Sequence, residues 1–148
     1  LHAVESGMEI NYRLAAIETL AAETQEKYDV VTCLEVLEHI PEPTSVLHAA
    51  AKLLRPGGQL FLSTIHRQLR SFLMAIVGGE YLTSMVPKGT HEYEKFIRPS
   101  ELARGLRESR FSICDITGMS YNPVTGNYKL GRDVGVNYFI HAMLEPTP

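Results

Sequence analysis

Tryptophan is absent from the chain, and cysteine occurs only twice, at Cys33 and Cys114. Both thiols sit in apolar, strand-like runs and lack the spacing of a metal ligand set or a disulfide pair, so buried thiols in a reducing compartment are expected. No apolar run approaches the roughly 18 residues that a helical membrane span requires, and no signal-peptide pattern is visible. A basic block is missing too: 14 Lys and Arg stand against 17 Asp and Glu, for a formal charge of -3. A nucleic-acid groove must neutralise phosphates with clustered cations, so nucleic acid is not an expected partner. There is no internal repeat, low-complexity tract or linker. The opening "LHAVESG" reads as the last turns of a helix ending at Gly7, with no capping residue before it, so residue 1 is not expected to begin the domain.

What is present suits one domain. The 148 residues, 45% hydrophobic and 21% charged, are enough to bury one core, and 1–148 is read as a single domain. "MEINYRL" alternates like a strand, and "AAIETLAAETQEK" has helical composition. "YDVVTCL" is an unbroken β-branched run, the mark of a strand buried on both faces of a parallel sheet. Thr44 or Ser45 is placed to cap a helix carrying Val46, Leu47, Ala50, Leu53 and Leu54 at helical spacing, and "RPGG" stops it before the strand "QLFLSTI". That order is a βαβ unit and implies an α/β fold. "RPSELARGLRESR" reads as a helix capped by Ser100 and weakened by Gly105. "FSICDITGMSY" and "VNYFIHAML" read as late strands joined through the turn-rich "NPVTGNYKLGRD". Residues 66–97 form an insertion too long and too apolar for a plain connection, the kind of loop that carries function.

The chemistry concentrates in "CLEVLEHIPEP". In open parallel sheets, ligands bind past the carboxyl ends of the strands, and Leu34 to His39 lie there. If Glu35 to His39 form one helical turn, then Glu35, Glu38 and His39 share a face, and Pro41 ends the turn by forcing Ile40 extended. Two carboxylates and an imidazole can hold a divalent ion while leaving positions open for substrate. From spacing alone the favoured reading is plainer: carboxylates that suit a helix N-terminus beside a histidine packed on the sheet edge.

The run "YDVVTCLEVLEHIPEP...LLRPGGQLFLSTI" resembles the second half of a class I S-adenosylmethionine-dependent methyltransferase. The segments "TCLEVLEHIPEP", "GGEYLTSMVPKGTHEYEKFIRPSEL", "ITGMSYNPVTGNYKL" and "VNYFIHAML" resemble the ubiquinone biosynthesis O-methyltransferases, over nearly the whole chain. The resemblance implies a Rossmann-like sheet of strand order 3-2-1-4-5-7-6 and methyl transfer from S-adenosyl-L-methionine to a polyprenyl catechol hydroxyl. It implies Glu35, Glu38 and His39 as ligands of a divalent metal, Mg²⁺ first, and Leu34 as a cofactor-pocket residue. Coordination of a catechol would lower its pKa and align it with the methyl donor. His39, if it holds no metal, is a candidate general base, as is His91 in "GTHEYEKF".

The Gly-rich loop after strand one and the acidic residue after strand two of such enzymes do not precede Leu1. The expectation is therefore an N-terminally incomplete chain, with "MEINYRL" lacking a sheet neighbour, an exposed edge on "YDVVTCL" and no independent cofactor binding. Rival readings are a non-catalytic module for membrane or complex assembly, and a class I methyltransferase acting on another small phenol. In the insertion, Arg67 and Arg70 flank Leu69, Phe72, Leu73, Ile76 and Val77, a pattern suited either to an anionic membrane surface or to a lid over the site. Expected partners are thus the polyprenyl catechol, that membrane surface and other ubiquinone-biosynthesis proteins. The expected location is the cytoplasm, peripheral on the inner membrane, or the matrix face in a mitochondrion.

Overall fold

The structure, a computed structural model, describes residues 5–67, 96–122 and 125–146. Its five-stranded sheet comprises β1 (Tyr28–Leu34), β2 (Leu54–Ile65), β3 (Phe111–Asn122), β4 (Asn127–Gly131) and β5 (Asn137–Leu144), in the order β1-β2-β5-β3-β4. β1 and β2 are parallel, β5 runs against both β2 and β3, and β4 returns along β3. The carboxyl ends of β1, β2 and β3 therefore lie at one end of the sheet. The described helices are α1 (Ile17–Glu23), α2 (Pro43–Leu53) and α3 (Pro99–Glu108), with a 3-10 turn at Leu37–His39.

The core lies on one face of this sheet. α2 buries Val46, Leu47, Ala50 and Leu53, and α3 buries Leu102 and Leu106. They meet Leu60 and Leu62 of β2 and the inward positions of β5, which alternates so that Tyr138, Ile140, Ala142 and Leu144 are buried. Gly105 lets the two helices approach: a Cβ there would stand 3.1 Å from Leu47 Cδ1. The opposite face is only half covered. There Phe61 stacks flat on His141, with ring centroids 4.5 Å apart.

Several expectations change in detail. Both long helices begin with proline, whose fixed φ and missing N–H suit the first helical position. α2 therefore starts at Pro43 with Thr44 and Ser45 inside it. In α3, Ser100 is likewise internal, and the Arg98 N–H donates to Glu101 Oε2 at 3.1 Å. β2 already begins at Leu54, since Gly57 at φ +78° absorbs an irregularity while the register with β1 shifts between Tyr28 and Val30. "NPVTGNYKLGRD" contributes a strand of its own, β4, at the far edge.

"MEINYRL" forms no strand, and Met8, Ile10, Tyr12 and Leu14 are exposed. β1 is not buried on both faces: its outer edge has no partner among the described residues, and Tyr28, Val30 and Leu34 are exposed. Nor are both thiols buried. Cys33 is half-buried, but Cys114 is exposed where the register of β3 on β5 shifts between Ile113 and Asp115. Most of the insertion, including Leu69, Arg70, Phe72, Leu73, Ile76, Val77 and His91, lies outside the described residues. Its two ends meet: the Ile97 N–H donates to the Ile65 carbonyl at 3.0 Å, and the buried Tyr138 hydroxyl donates to the Ile97 carbonyl at 3.0 Å. Among the described residues no helix is long and apolar enough to cross a membrane.

One close approach is diagnostic of this packing. A Cβ on Gly118 would fall 1.8 Å from the Asp133 carbonyl oxygen, so the chain before β5 crosses directly over β3. Gly118→Ala is expected to cost about 2 kcal/mol or more in urea unfolding, because backbone rather than a side-chain tip must move. The thiols give a second check. Burial, then the Glu38 charge, pushes the Cys33 thiol above its ordinary value of 9.0. Iodoacetamide at pH 8, followed by peptide mass mapping, is expected to label Cys114 well before Cys33.

Candidate functional site

β1 ends at Leu34, and the chain turns sharply at Glu35, which adopts φ +54°. This left-handed conformation costs a residue bearing a Cβ roughly 1 kcal/mol or more, so the surroundings must hold it. They do so through both backbone and side chain. The Glu35 N–H reaches the Ser63 carbonyl at 3.1 Å and Ser63 Oγ at 3.0 Å. The Ser63 hydroxyl donates to Glu35 Oε1 at 2.5 Å, and Asn137 Nδ2 lies 3.1 Å from each carboxylate oxygen. Glu35 thus ties the ends of β1, β2 and β5 together. After it, the buried Leu37 anchors the 3-10 turn, and Ile40 is extended before Pro41, as the proline requires.

Glu38 goes elsewhere. It is buried, and its Oε2 accepts from Thr64 Oγ1 at 2.8 Å. Ser63 and Thr64 are consecutive in β2, so their side chains leave opposite faces of the sheet. The carboxylates of Glu35 and Glu38 follow them to opposite faces. His39 is exposed and lines a cleft of about 610 Å³ beside Pro41, Leu47, Phe96 and an Arg67–Glu101 ion pair. The expected convergence of Glu35, Glu38 and His39 is therefore not found: it presumed one helical turn, whereas the turn starts at Leu37 and leaves Glu35 outside it. Among the described residues no group of three His, Cys, Asp or Glu side chains is arranged to hold a metal ion. As placed, the three residues do not fit a divalent cation.

Several site residues escaped the sequence reading. Ser63, Thr64 and Asn137 hold the two glutamates from remote positions. His66, buried just past β2, has Nδ1 2.7 Å from the Val134 carbonyl oxygen and its ring edge-on to Tyr138. Burial, then the charges of Glu101 and Glu38, raises the Tyr138 phenol well above its ordinary value and keeps it a donor to Ile97. The adjacent hydroxyls of "LFLSTI" were the available signal, because an apolar strand has little other use for two of them at its carboxyl end.

Residues 4–115 match the family model described as a methyltransferase domain. The chain belongs to that family. Curated relatives named ubiquinone biosynthesis O-methyltransferase include one from Marinobacter nauticus, 56% identical over 144 residues that make up 96% of this chain and 60% of the relative. Another, from Azotobacter vinelandii, is 54% identical over 145 residues, 98% of this chain and 62% of the relative. This methyltransferase chain thus spans about 60% of the length of these relatives.

Among solved structures, an S-adenosylmethionine-dependent methyltransferase from Clostridium acetobutylicum superposes with a TM-score of 0.67 at 13% identity, covering 98% of this chain and 69% of that one. Magnesium protoporphyrin IX methyltransferase from Synechocystis, with bound SAH, gives a TM-score of 0.53 at 21% identity, covering 84% of this chain and 48% of that one. The fold is that of a class I methyltransferase. In the order 3-2-1-4-5-7-6, β1, β2, β5 and β3 take the places of strands four, five, seven and six, and β4 extends the sheet beyond six. Leu34, 48% exposed at the carboxyl end of β1, faces the open side of the sheet.

The Glu35–Asn137 pair yields a swap test. Asn137→Asp opposes two carboxylates and is expected to cost about 2 kcal/mol near neutral pH by chemical denaturation. Glu35→Gln alone is expected to cost less, since Asn137 Oδ1, buried and without a hydrogen-bond partner among the described residues, can turn to meet the new amide. Combining the two restores a carboxylate facing an amide and is expected to recover most of the loss. Additive losses in the double variant would refute the pairing.

Proposed function

We propose that this methyltransferase chain is the substrate-side part of an S-adenosylmethionine-dependent O-methyltransferase of ubiquinone biosynthesis, acting on a catechol hydroxyl of a polyprenyl substrate. The observation that carries the reading is the 56% identity, over 96% of the chain, to a relative bearing that name. The geometry supports it in kind: a cleft with apolar residues in its wall runs between α2 and α3, and His39, from the turn that follows β1, stands at its lip. S-adenosyl-L-methionine, when bound, supplies an electrophilic methyl group on sulfur.

His39 is the described residue best placed to accept the hydroxyl proton as the oxygen–methyl bond forms, being exposed at the cleft and unencumbered by the ties that hold Glu35 and Glu38. His91 keeps its candidacy as a base from sequence alone. Leu34 and the turn after it would border the cofactor. Peripheral contact with the membrane that holds the substrate, and with other proteins of the pathway, belongs to the same proposal. Divalent-metal assistance through Glu35, Glu38 and His39 rests on residue type and on the sequence resemblance. It would require Glu38 to leave Thr64, and no step is derived from it.

Transfer of labelled methyl to a short-chain demethylubiquinol and to a simple soluble catechol, measured on the gene product containing these residues, tests the reading. Preference for the prenylated substrate is expected, together with a loss of about 100-fold or more in kcat for His39→Ala and of the corresponding limb of the pH profile. Turnover of the soluble catechol alone would favour the other-phenol reading. For the metal, Mn²⁺ titration followed by paramagnetic resonance decides: a saturable site that Glu38→Gln weakens at least about tenfold would mean that Glu38 leaves Thr64 to bind it. No saturable site would end that part of the proposal.

A further inference from the structure

α2 and α3 start at the same end of the sheet, since α2 follows the turn after β1, and Ile97, two residues before α3, is bonded to Ile65 at the end of β2. The cleft that His39 lines continues down between the two helices, along α3 from Glu101 to Glu108. Seven residues of helix rise about 10 Å, so the cleft is an elongated groove.

The groove changes in chemistry along its length. At its upper end stand the His39 imidazole and the Arg67–Glu101 ion pair, in which Glu101 is held in turn by the Arg98 N–H. The walls are otherwise apolar. Ile40, Pro41 and Pro43 come from the turn and the start of α2, Ile97 comes from the approach to α3, and the buried Leu47 and Leu102 lie beneath. The charges cancel: Arg67 and Arg104 stand against Glu101 and Glu108, so apart from His39 the groove has no excess of one sign with which to select an ion. A ligand with one polar end and a narrow, neutral, apolar body suits such a lining.

Gly105 stands in this groove one helical turn below Glu101. Glycine inside a helix is unfavourable relative to alanine, and here the backbone does not require it, because Gly105 is not among the glycines of positive φ. What the missing side chain provides is room. A Cβ would stand 3.1 Å from Leu47 Cδ1, and both residues line the groove, so a side chain at 105 and the Leu47 that must yield to it would compete for the same space.

We propose that the prenyl chain of the substrate lies in the α2–α3 groove, over Leu47, Leu102 and Gly105, with its ring at the His39 end, and that the bare position at Gly105 sets the room for the chain. The inference rests on the polyprenyl-substrate reading above and adds to it where the chain runs and which residue selects for it. A cleft of about 610 Å³ is of small-molecule size, so it holds the ring and the first isoprene units, and the ring's hydroxyls lie toward the imidazole.

Photolabelling reads the position of the chain directly. A phenol with a single hydroxyl, two isoprene units and a diazirine at the far end of the chain is irradiated with the gene product containing these residues, without methyl donor, and the labelled peptides are mapped by mass spectrometry. Label is expected on Pro43–Leu53 and Pro99–Glu108, and excess unlabelled prenyl phenol, but not phenol itself, is expected to remove it. Label confined to residues 68–95 or to the opposite face of the sheet overturns the proposal. Labelling that never saturates, or that phenol removes equally well, overturns it too.

Gly105→Leu is expected to raise the concentration of prenyl phenol that half-saturates labelling at least about tenfold, the order by which extra carbon in an apolar pocket discriminates. In turnover, the ratio of kcat/KM for a short-chain demethylubiquinol to that for a soluble catechol is expected to fall by a similar factor, through KM for the prenylated substrate. Gly105→Ala, which helix propensity favours, is expected to shift both in the same direction by less, and it serves if circular dichroism shows the leucine variant unfolded. An equal loss for both substrates, with labelling unchanged, assigns Gly105 to helix packing alone and overturns its selective role. Labelling needs neither donor nor transfer. Label in the groove without methyl transfer therefore counts against the proposed function alone, and methyl transfer to the prenylated substrate without label in the groove counts against this inference alone.

Discussion

Much of the described structure depends on how the Glu35 carboxylate is held. A glutamate in a left-handed turn at the end of a parallel strand is a conformational cost, and an unpaired carboxylate there would add another. Ser63 meets both backbone and side chain, and Asn137, from the antiparallel strand on the other side of β2, closes the carboxylate from a second direction. With Glu35 so fixed, the chain leaves the sheet at one angle. Leu37 then drops into the core, Glu38 reaches Thr64 and His39 arrives at the cleft.

The consequence is a division of labour between the faces of the sheet. The helical face holds the core, the buried Glu38, the half-buried Cys33 and the phenol of Tyr138, and burial first, then nearby carboxylates (Glu38 for Cys33, Glu101 and Glu38 for Tyr138), raises the proton affinity of both groups. The other face carries Glu35, Ser63, Asn137, the Phe61–His141 stack and the apolar side of the β3–β4 hairpin, and it stays partly open among the described residues. Leu34 and the edge of β1, which no described strand pairs, belong to this open region.

The long-range ties also explain what sequence reading reached and what it did not. The strand "YDVVTCL", the proline-bounded helix after it, the strand "QLFLSTI" and the two late strands were legible, because burial imposes its period directly on the residues. The resemblance added the strand order, and the four places of that order that this chain occupies are filled as it implied. The unpaired state of "MEINYRL" followed from the same order, since a strand without its neighbour cannot satisfy its backbone in a sheet. The capping residues were misjudged, because proline at the first position shifted both helix starts upstream.

By itself, then, the sequence determined the α/β class, the core-facing periodicity and the place of the Glu35 to His39 segment at a strand's carboxyl end. These are local or nearest-neighbour properties, written in spacing and in proline and glycine positions. Only the tertiary structure decided where the side chains of that segment point. Glu35 and Glu38 part because Ser63 and Thr64, adjacent in a distant strand, project to opposite sides, and Asn137 acts on Glu35 across 102 residues of sequence. Contacts of that range leave no periodic trace along a single chain, so the direction of a carboxylate can be read only once the strands that hold it are side by side.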